Sequence, residues 1–94
     1  MTARPQFTVT AITPARPEAP RSVVALNLPG DGGRLTVLAR HQPLICALRG
    51  GTIRAVNADE QPETWTISPG TISVERDGSV TLLVQRIGFE ETPA

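Results

Sequence analysis

The sequence predicts an all-β fold, a flattened antiparallel β-sandwich or barrel of roughly eight to ten short strands. Apolar and polar residues alternate with a period of two along most of the chain, which is typical of half-buried strands. The alternating runs are short and rich in Val, Ile and Thr, residues that suit a pleated surface. Turn residues recur roughly every 8–12 residues, the spacing expected of a sandwich or barrel.

The alternating runs are predicted to be strands, each with one apolar face toward a common core. In chain order they are Gln6–Ile12, Arg21–Leu28, Arg34–Leu38, Leu44–Leu48, Thr52–Val56, Thr64–Ile67, Thr71–Glu75 and Ser79–Gln85. The predicted core consists of Phe7, Val9, Val24, Leu26, Leu28, Leu35, Val37, Leu44, Ile53, Trp65, Ile67, Ile72, Val74, Val80, Leu82 and Val84. The folded domain is expected to span residues 1–87, and the short acidic tail Gly88–Ala94 is predicted to fray.

The connections between these runs carry residues with restricted or unusually free backbones. Pro14–Pro20 contains three prolines and is predicted to be a stiff extended link between the first two strands. Gly30–Gly33 is predicted to be a sharp turn with a residue at positive φ. Ser68-Pro69-Gly70 places Pro and Gly as a type II turn requires, and Asp77-Gly78 signals a type I′ hairpin turn.

One segment, Thr36–Leu48, has a pattern compatible with a helix. Pro43 lies in its middle, where it would destabilise a continuous helix by about 3 kcal/mol or more. We therefore predict a strand, a turn at Arg40–Gln42 and a second short strand over Leu44–Leu48.

Composition and charge exclude nucleic-acid binding. Ninety-four residues form one domain, large enough for a core without disulfides or metal. Nine arginines balance nine acidic residues, there is no lysine, and the three aromatic residues are Phe7, Trp65 and Phe89. A neutral chain with so few aromatic rings has neither the charge nor the stacking surfaces that nucleic acids require.

The cysteine content and the apolar runs suggest a reducing, intracellular compartment. Cys46 is the single cysteine, so neither an internal disulfide nor a thiolate metal cluster is expected. No signal peptide is expected after Met1, and no apolar run is long enough to span a bilayer.

His41 and Cys46 are the residues that suggest nucleophilic catalysis, because an imidazole base beside a thiol activates it. Cys46 falls on the same predicted strand face as Leu44 and Leu48, so we expect a buried, inert thiol. A single histidine with carboxylates in links and turns offers no metal site, and Gly30–Gly33 lacks the lysine and helix of a phosphate-binding loop. We expect no catalytic residue, metal or cofactor, and a hydrolase is a remote alternative.

Several segments, in order, resemble the N-terminal domain of the epsilon subunit of F-type ATP synthases, called delta in mitochondria. Residues 24–48 run from a strand through a Gly-rich loop and a short strand into His41-Gln42-Pro43-Leu44. The Gly-rich turn Arg49–Arg54 follows, and Trp65–Val84 resembles the closing meander of the family. Phe7–Pro14 is similar to its first strand, so the resemblance covers residues 5–87.

The resemblance implies a non-catalytic rotor subunit of a proton- or sodium-translocating ATP synthase. It would couple the gamma shaft to the membrane-embedded c-ring, lie peripherally on the cytoplasmic face of the bacterial inner membrane, and need no cofactor. The loop Gly30, Asp31, Gly32, Gly33 and Arg34 corresponds to the c-ring interface. The segment Arg40, His41, Gln42, Pro43 and Leu44 falls where the family meets gamma and the ring.

Two local departures from the family pattern bear on these interfaces. Family members usually carry a carboxylate where Arg34 stands, facing a basic ring loop, so we predict a compensating change in the partner ring. Ala39-Arg40 replaces the Pro-Gly that commonly precedes the histidine, so the turn there is less tightly specified.

Most bacterial relatives continue into a two-helix hairpin that inhibits ATP hydrolysis and in some cases binds ATP. The residues Gly88–Ala94 are too few to form that hairpin. The chain is therefore expected neither to bind nucleotide nor to inhibit by extension. The alternative function is a free-standing β-sandwich that binds a peptide or a carbohydrate, for which Trp65 alone is a poor aromatic platform.

Overall fold

The computed structural model describes residues 4–91 of the chain, with side chains described as far as Phe89. Every regular element in that range is a strand, which confirms the all-β prediction. The strands are β1 (Phe7–Ile12), β2 (Arg21–Gly30), β3 (Gly33–Leu38), β4 (Leu44–Leu48), β5 (Gly51–Asn57), β6 (Pro62–Ile67), β7 (Gly70–Val74), β8 (Val80–Val84) and β9 (Ile87–Glu91).

The nine strands form one continuous sheet that folds over a shared core as a sandwich. One layer contains β1, β8, β7 and β4, and the other contains β3, β2, β5, β6 and β9. The long strand β2 joins the layers, because it pairs with β1 at Phe7↔Val23 and with β4 at Gly30↔Leu48. Both ends of the sandwich are thereby tied together by backbone hydrogen bonds.

The sandwich is antiparallel, as predicted, except at one pair of strands. Strand β1 runs parallel to β8, with Val9 opposite Val80 and Ala11 opposite Leu82, whereas the other pairings are antiparallel. Alternation along a strand determines which side chains are buried, but it carries no information about the direction of the neighbouring strand.

The observed core follows the predicted one closely, with differences at its edges. Leu35 and Leu44 are only partly buried and pack against the core, while the other predicted core residues are buried. The prediction omits Ala11, Val23, Leu48 and Ala55, which are also buried. Val23 was expected on the opposite face from Val24. The pairing of β2 with β5 shifts between Val23 and Ala25, and this bulge interrupts the alternation so that both valines are buried.

The segment after β8 is a strand for most of its length. Residues Gly88–Glu91 belong to β9, which pairs with β6 from Ile67↔Ile87 to Glu63↔Glu91, so the fraying prediction is wrong for them. The ring of Phe89 packs edge-on against Trp65, with centroids 5.2 Å apart and planes at 78°. The rest of the predicted tail, Thr92–Ala94, lies outside the described residues.

The proline-rich link folds back rather than running extended. The N–H of Thr13 donates to the carbonyl of Arg16 at 3.2 Å, and the N–H of Glu18 donates to Ala11 at 2.7 Å. Ile12 and Pro17 form an antiparallel bridge. The prediction of an extended link was based on the proline content. Prolines restrict their own φ but do not prevent the residues between them from forming a turn.

Two turn types differ from those predicted. The loop after β7 has three residues, because Glu75 N–H donates to Ser79 at 2.8 Å and Gly78 N–H to Glu75 at 2.9 Å. Gly78 alone of these residues has positive φ, at 93°, whereas a type I′ turn requires two such residues. Gly70 is not among the residues with positive φ, so Ser68-Pro69-Gly70 is not a type II turn.

Candidate functional site

The two predicted interface segments lie at opposite ends of β3. Gly30–Arg34 forms the β2–β3 hairpin, and Arg40–Leu44 follows the other end of the strand. A six-residue strand spans about 20 Å, so the structure does not bring the two segments together. We call residues 30–34 the tip.

The tip is a tight hairpin whose glycines have different roles. Gly30 and Gly33 pair directly across a two-residue connection, Asp31-Gly32. Gly33 has a φ of 133°, which confirms the predicted positive φ in this turn. Gly30 has no room for a side chain, because a Cβ there would lie 2.6 Å from the carbonyl oxygen of Gly33.

The tip is held against the end of β4 and the β4–β5 connection. The N–H of Asp31 donates to the Ala47 carbonyl at 3.0 Å, and the N–H of Arg49 donates to Pro29 at 2.8 Å. The side chains of Arg49 and Asp31 approach to 3.9 Å and are both well exposed. These backbone bonds fix the position of the tip relative to the sandwich.

Arg34 lies along the outer face of the sheet. Its Nε donates to Asn27 Oδ1 at 2.7 Å, and its Nη2 donates to the carbonyls of Asn27 at 3.2 Å and Thr52 at 3.0 Å. Asn27 is fixed in turn, because its Nδ2 donates to Thr36 Oγ1 at 3.1 Å. The guanidinium is therefore held by neutral oxygens of β2 and β5.

The second segment lines a groove at the other end of the sandwich. The groove has a volume of about 720 Å³ and is lined by residues 39–43, by residues 5–8 around the start of β1, and by the turn from Arg76 to Ser79. The turn into this segment comes one residue earlier than predicted, since His41 N–H donates to Leu38 at 3.2 Å. Arg40 adopts a φ of 64° in that turn, a conformation that favours glycine.

The structure does not join His41 and Cys46 into a catalytic pair. Cys46 is half-buried against the core, and its thiol donates to the Ala47 carbonyl at 3.3 Å. His41 Nδ1 lies 2.7 Å from the carbonyl of Gln42. Each side chain is engaged with its own neighbour, and residues 4–91 hold no group of three or more potential metal ligands.

A partly buried polar cluster, missed by the sequence analysis, is centred on Glu63. Its carboxylate accepts hydrogen bonds from Trp65 Nε1 at 2.9 Å and Asn57 Nδ2 at 2.9 Å, and Arg21 approaches to 3.5 Å. Burial on its own would raise the pKa of Glu63, but the bonds from Trp65 and Asn57 and the charge of Arg21 together lower it below 4.5. The sequence signal was the spacing of Glu63 and Trp65, which places both on one face of a strand.

The same cluster secures β9. The guanidinium of Arg21 lies 3.8 Å from the centroid of the Phe89 ring, while Phe89 packs on Trp65. Trp65 is fully buried and therefore offers no platform for a carbohydrate ring. This removes the feature on which the alternative of a carbohydrate-binding module depended.

The outer faces of the two layers differ in charge. On the β1-β8-β7-β4 layer, the register aligns Ile12, Leu83, Thr71 and Ala47 in one row. Leu83 is 49% exposed, and Ile45 on the same face is 78% exposed. The outer face of the other layer carries Arg34 and Arg54 on either side of Asn27, beside Thr36 and Thr52. Glu75 follows β7 at the edge of the first surface, where Ser73 Oγ donates to its carboxylate at 3.0 Å. The strand residues of that surface carry no charge, and we call them the uncharged face.

The described residues thus define a β-sandwich that presents a fixed hairpin tip, a groove and an uncharged face. Between Arg4 and Glu91 there is no helix long and apolar enough to cross a membrane. The family model for the β-sandwich domain of the ATP synthase delta/epsilon chain matches residues 6–89. The chain belongs to this family, in agreement with the predicted resemblance and with the prediction of a structural rather than catalytic subunit.

Curated relatives carry the same family name. The chain is 45% identical to the ATP synthase epsilon chain of Bordetella parapertussis over 56 residues, which are 60% of this chain and 39% of that protein. It is 32% identical to the epsilon chain of Dichelobacter nodosus over 76 residues, 81% of this chain and 53% of that protein. The chain thus spans about half or less of the length of these relatives.

Solved structures share the fold. A chain of the Euglena gracilis mitochondrial ATP synthase, described as OSCP/F1/c-ring, superposes with a TM-score of 0.83 at 19% identity, covering 95% of this chain and 56% of that one. A chain of the Tetrahymena thermophila mitochondrial ATP synthase, described as central stalk and c-ring, gives 0.74 at 14% identity, covering 93% and 69%. These likenesses independently support the sandwich architecture.

Proposed function

We propose that this chain is a non-catalytic rotor component of the ATP synthase central stalk, which couples the gamma shaft to the c-ring. The observation that carries the proposal is that the tip, the groove and the uncharged face lie on one β-sandwich with a single shared core. A packed β-sandwich has low compressibility, so a force applied at one surface reaches the other with little deformation. Transmission of torque requires this property and no bond chemistry.

The tip is the proposed contact with the c-ring. Gly30, Asp31, Gly32, Gly33 and Arg34 project at one end of the sandwich, and the tip is tied to β4 through the Asp31–Ala47 and Arg49–Pro29 bonds. A rigid tip loses little conformational entropy when it binds. The c-ring appears in the descriptions of both structural neighbours, which motivates this assignment.

The groove segment and the uncharged face are the proposed contacts with gamma. Arg40, His41, Gln42 and Pro43 line the groove, and Leu44 continues it at the start of β4. The uncharged face adds exposed Ile45 and Leu83 on the adjoining layer. Burying such side chains is favourable, at about 25 cal/mol per Å² of apolar surface removed from water.

Two finer assignments complete the proposal. The chain would lie peripherally on the cytoplasmic face of the bacterial inner membrane, held there through the complex, and the transported ion, proton or sodium, would be set by the ring. The 94 residues are also expected not to bind ATP. A calorimetric titration of the isolated chain with ATP tests this, and saturable heat would contradict it.

Co-purification tests the rotor assignment. The tagged chain, expressed in cells that lack the native subunit, is expected to retain gamma and the ring subunits after detergent extraction. Leu83→Arg, which places a charge on the uncharged face, should release gamma. Thr66→Arg places the same charge at an exposed strand position of the other layer and serves as the matched control. Recovery of the chain alone from membranes that contain assembled complex would refute the proposal.

A further inference from the structure

We propose that the ring loop received by the tip presents a carboxylate opposite Arg34. This inference rests on the proposed contact between the tip and the c-ring. It specifies the charge of the partner, which the fold alone does not determine.

Hydrogen bonds within the protein already fix the Arg34 side chain and leave part of its guanidinium without an acceptor. Of the five N–H groups of a guanidinium, the protein uses one on Nε and two on Nη2. Among residues 4–91 no hydrogen-bond partner is found for Nη1, which leaves its two N–H groups for an acceptor from outside. Because the side chain is already held, little rotamer entropy remains to be lost on binding.

The acceptors that hold Arg34 leave its charge uncompensated. They are the amide oxygen of Asn27 and two backbone carbonyls, and the ion pairs of the described side chains do not include Arg34. Arg54 lies on the same outer face, across Asn27, and Arg49 lies beside the tip. Asp31 is the acidic residue of this region, and it is 3.9 Å from Arg49.

This charge pattern selects an acidic protein loop. A basic loop placed against Arg34 and Arg54 would bring like charges together in a partly dehydrated contact, which is costly. A carboxylate would accept charge-assisted hydrogen bonds from the free guanidinium N–H groups, which are about twice as strong as neutral ones. An anionic lipid surface fits less well, because Asp31 is at the end of the tip and is itself exposed.

The absence of lysine from the chain gives a direct test. In Arg34→Lys the new amine is the single side-chain amine of the protein. The assembled complex is treated with a water-soluble carbodiimide, which joins an amine to a nearby carboxylate as an amide and takes up the water released. Mass spectrometry of the product then identifies the partner residue. Arg4→Lys places the amine at an exposed position beside Glu60, at the end of the sandwich away from the tip and outside the groove lining, and is the matched control.

The expected product is a cross-link from position 34 to an Asp or Glu of the ring loop, in clear excess over the Arg4→Lys protein. Arg34→Gln should weaken binding to detergent-solubilised ring by about tenfold or more, as expected for losing hydrogen bonds to a charged group, while Arg4→Gln should not. Thermal unfolding of each variant shows whether the fold is retained. If Arg34→Lys fails to fold, Arg54→Lys tests the same face.

Three results would overturn the inference while leaving the rotor assignment intact. They are a cross-link to another subunit, a cross-link to lipid alone, and equal yields for the two lysine variants in a complex that retains the ring. Failure of the unmodified chain to bind the ring would instead refute the proposed function itself, so the two failures are distinguishable.

Discussion

At the scale of single residues, the backbone conformation of Arg40 reduces the stability of the folded protein. Arg40 occupies a backbone conformation that costs an L-residue with a Cβ about 1–2 kcal/mol. The sequence analysis recognised that Ala39-Arg40 was a poor pair for a turn, but the φ of 64° at Arg40 became known only from the structure. The turn itself forms because β3 and β4 must be connected there.

Arg40→Gly is therefore expected to stabilise the protein by about 0.5–1 kcal/mol, because relief of the left-handed conformation exceeds the added chain entropy of glycine. Chemical denaturation measures the change. Gln42→Gly, at an exposed neighbour outside the residues with positive φ, should be destabilising or neutral. A lower denaturation midpoint for Arg40→Gly would contradict the argument.

Glu63 makes stability depend on pH. Its pKa is lowered in the folded protein, so its contribution is present above the ordinary value of 4.5 and is lost as pH falls through the folded pKa. The pKa of Asp77 is also lowered from its ordinary value of 3.8, by the hydroxyl and N–H of Ser79, so its contribution to stability is lost only at lower pH.

The variant Glu63→Gln isolates the contribution of Glu63 to the pH dependence of stability. The variant should be less stable than wild type at pH 7, by about 1–3 kcal/mol, because a neutral amide offers the donors on Trp65, Asn57 and Arg21 a weaker acceptor. Its unfolding free energy should fall less steeply between pH 4.5 and pH 2. Denaturant titrations at several pH values measure both quantities, and parallel pH profiles would show that Glu63 is not responsible.

At the scale of elements, the periodicity of the sequence predicted the positions of the strands well but not how the strands pair with one another. The bounds of β4 were predicted without error, because Pro43 and the Gly-rich turn limit it on both sides. The bulge at Val24, the parallel pairing of β1 and the strand β9 were not predicted. Each depends on which strand lies alongside, and alternation within one strand does not encode that. For β9, the alternation of Ile87 and Phe89 was the available signal.

The role of Gly70 also depends on a neighbouring strand and was not predicted from the sequence. Gly70 was assigned to a turn for its backbone freedom, whereas the structure requires it for close approach, since a Cβ would overlap the carbonyl oxygen of Leu83. Gly70→Ala should therefore destabilise the protein by about 1–3 kcal/mol through overpacking. Gly32→Ala, where nothing lies within 4 Å and φ is not positive, should have little effect. Circular dichroism melts compare the two, and equal losses would count against this interpretation.

At the scale of the whole molecule, the sequence predicted a sandwich and an interaction role, but not the arrangement of the surfaces. The tip and the groove segment were both named as interfaces, and only the structure places them at opposite ends of β3. The charge of Arg34 was evident from the sequence. Its fixation by Asn27 and Thr52 was not, because it joins residues of three strands.

Adjacent leucines on β8 test the difference between the core and the uncharged face. Leu82 is fully buried, so Leu82→Ala should destabilise the protein by about 2–5 kcal/mol. Leu83 is half-exposed, so Leu83→Ala should alter stability by less than about 1 kcal/mol while weakening retention of gamma. Urea titrations measure the first quantity and co-purification the second. Similar losses of stability in both variants would contradict the assignment of Leu82 to the core and of Leu83 to the exposed face of β8.

Strand β3 pairs with β2 on one side and, within residues 4–91, with no strand on the other. Every second peptide group along this sheet edge has no strand partner, and the edge runs from the tip to the groove. Exposed sheet edges can pair with a strand of another chain, and such pairing is limited where the edge strand is short and carries a charge. Arg34 and the short length of β3 thus limit pairing of this edge with a second copy of the chain.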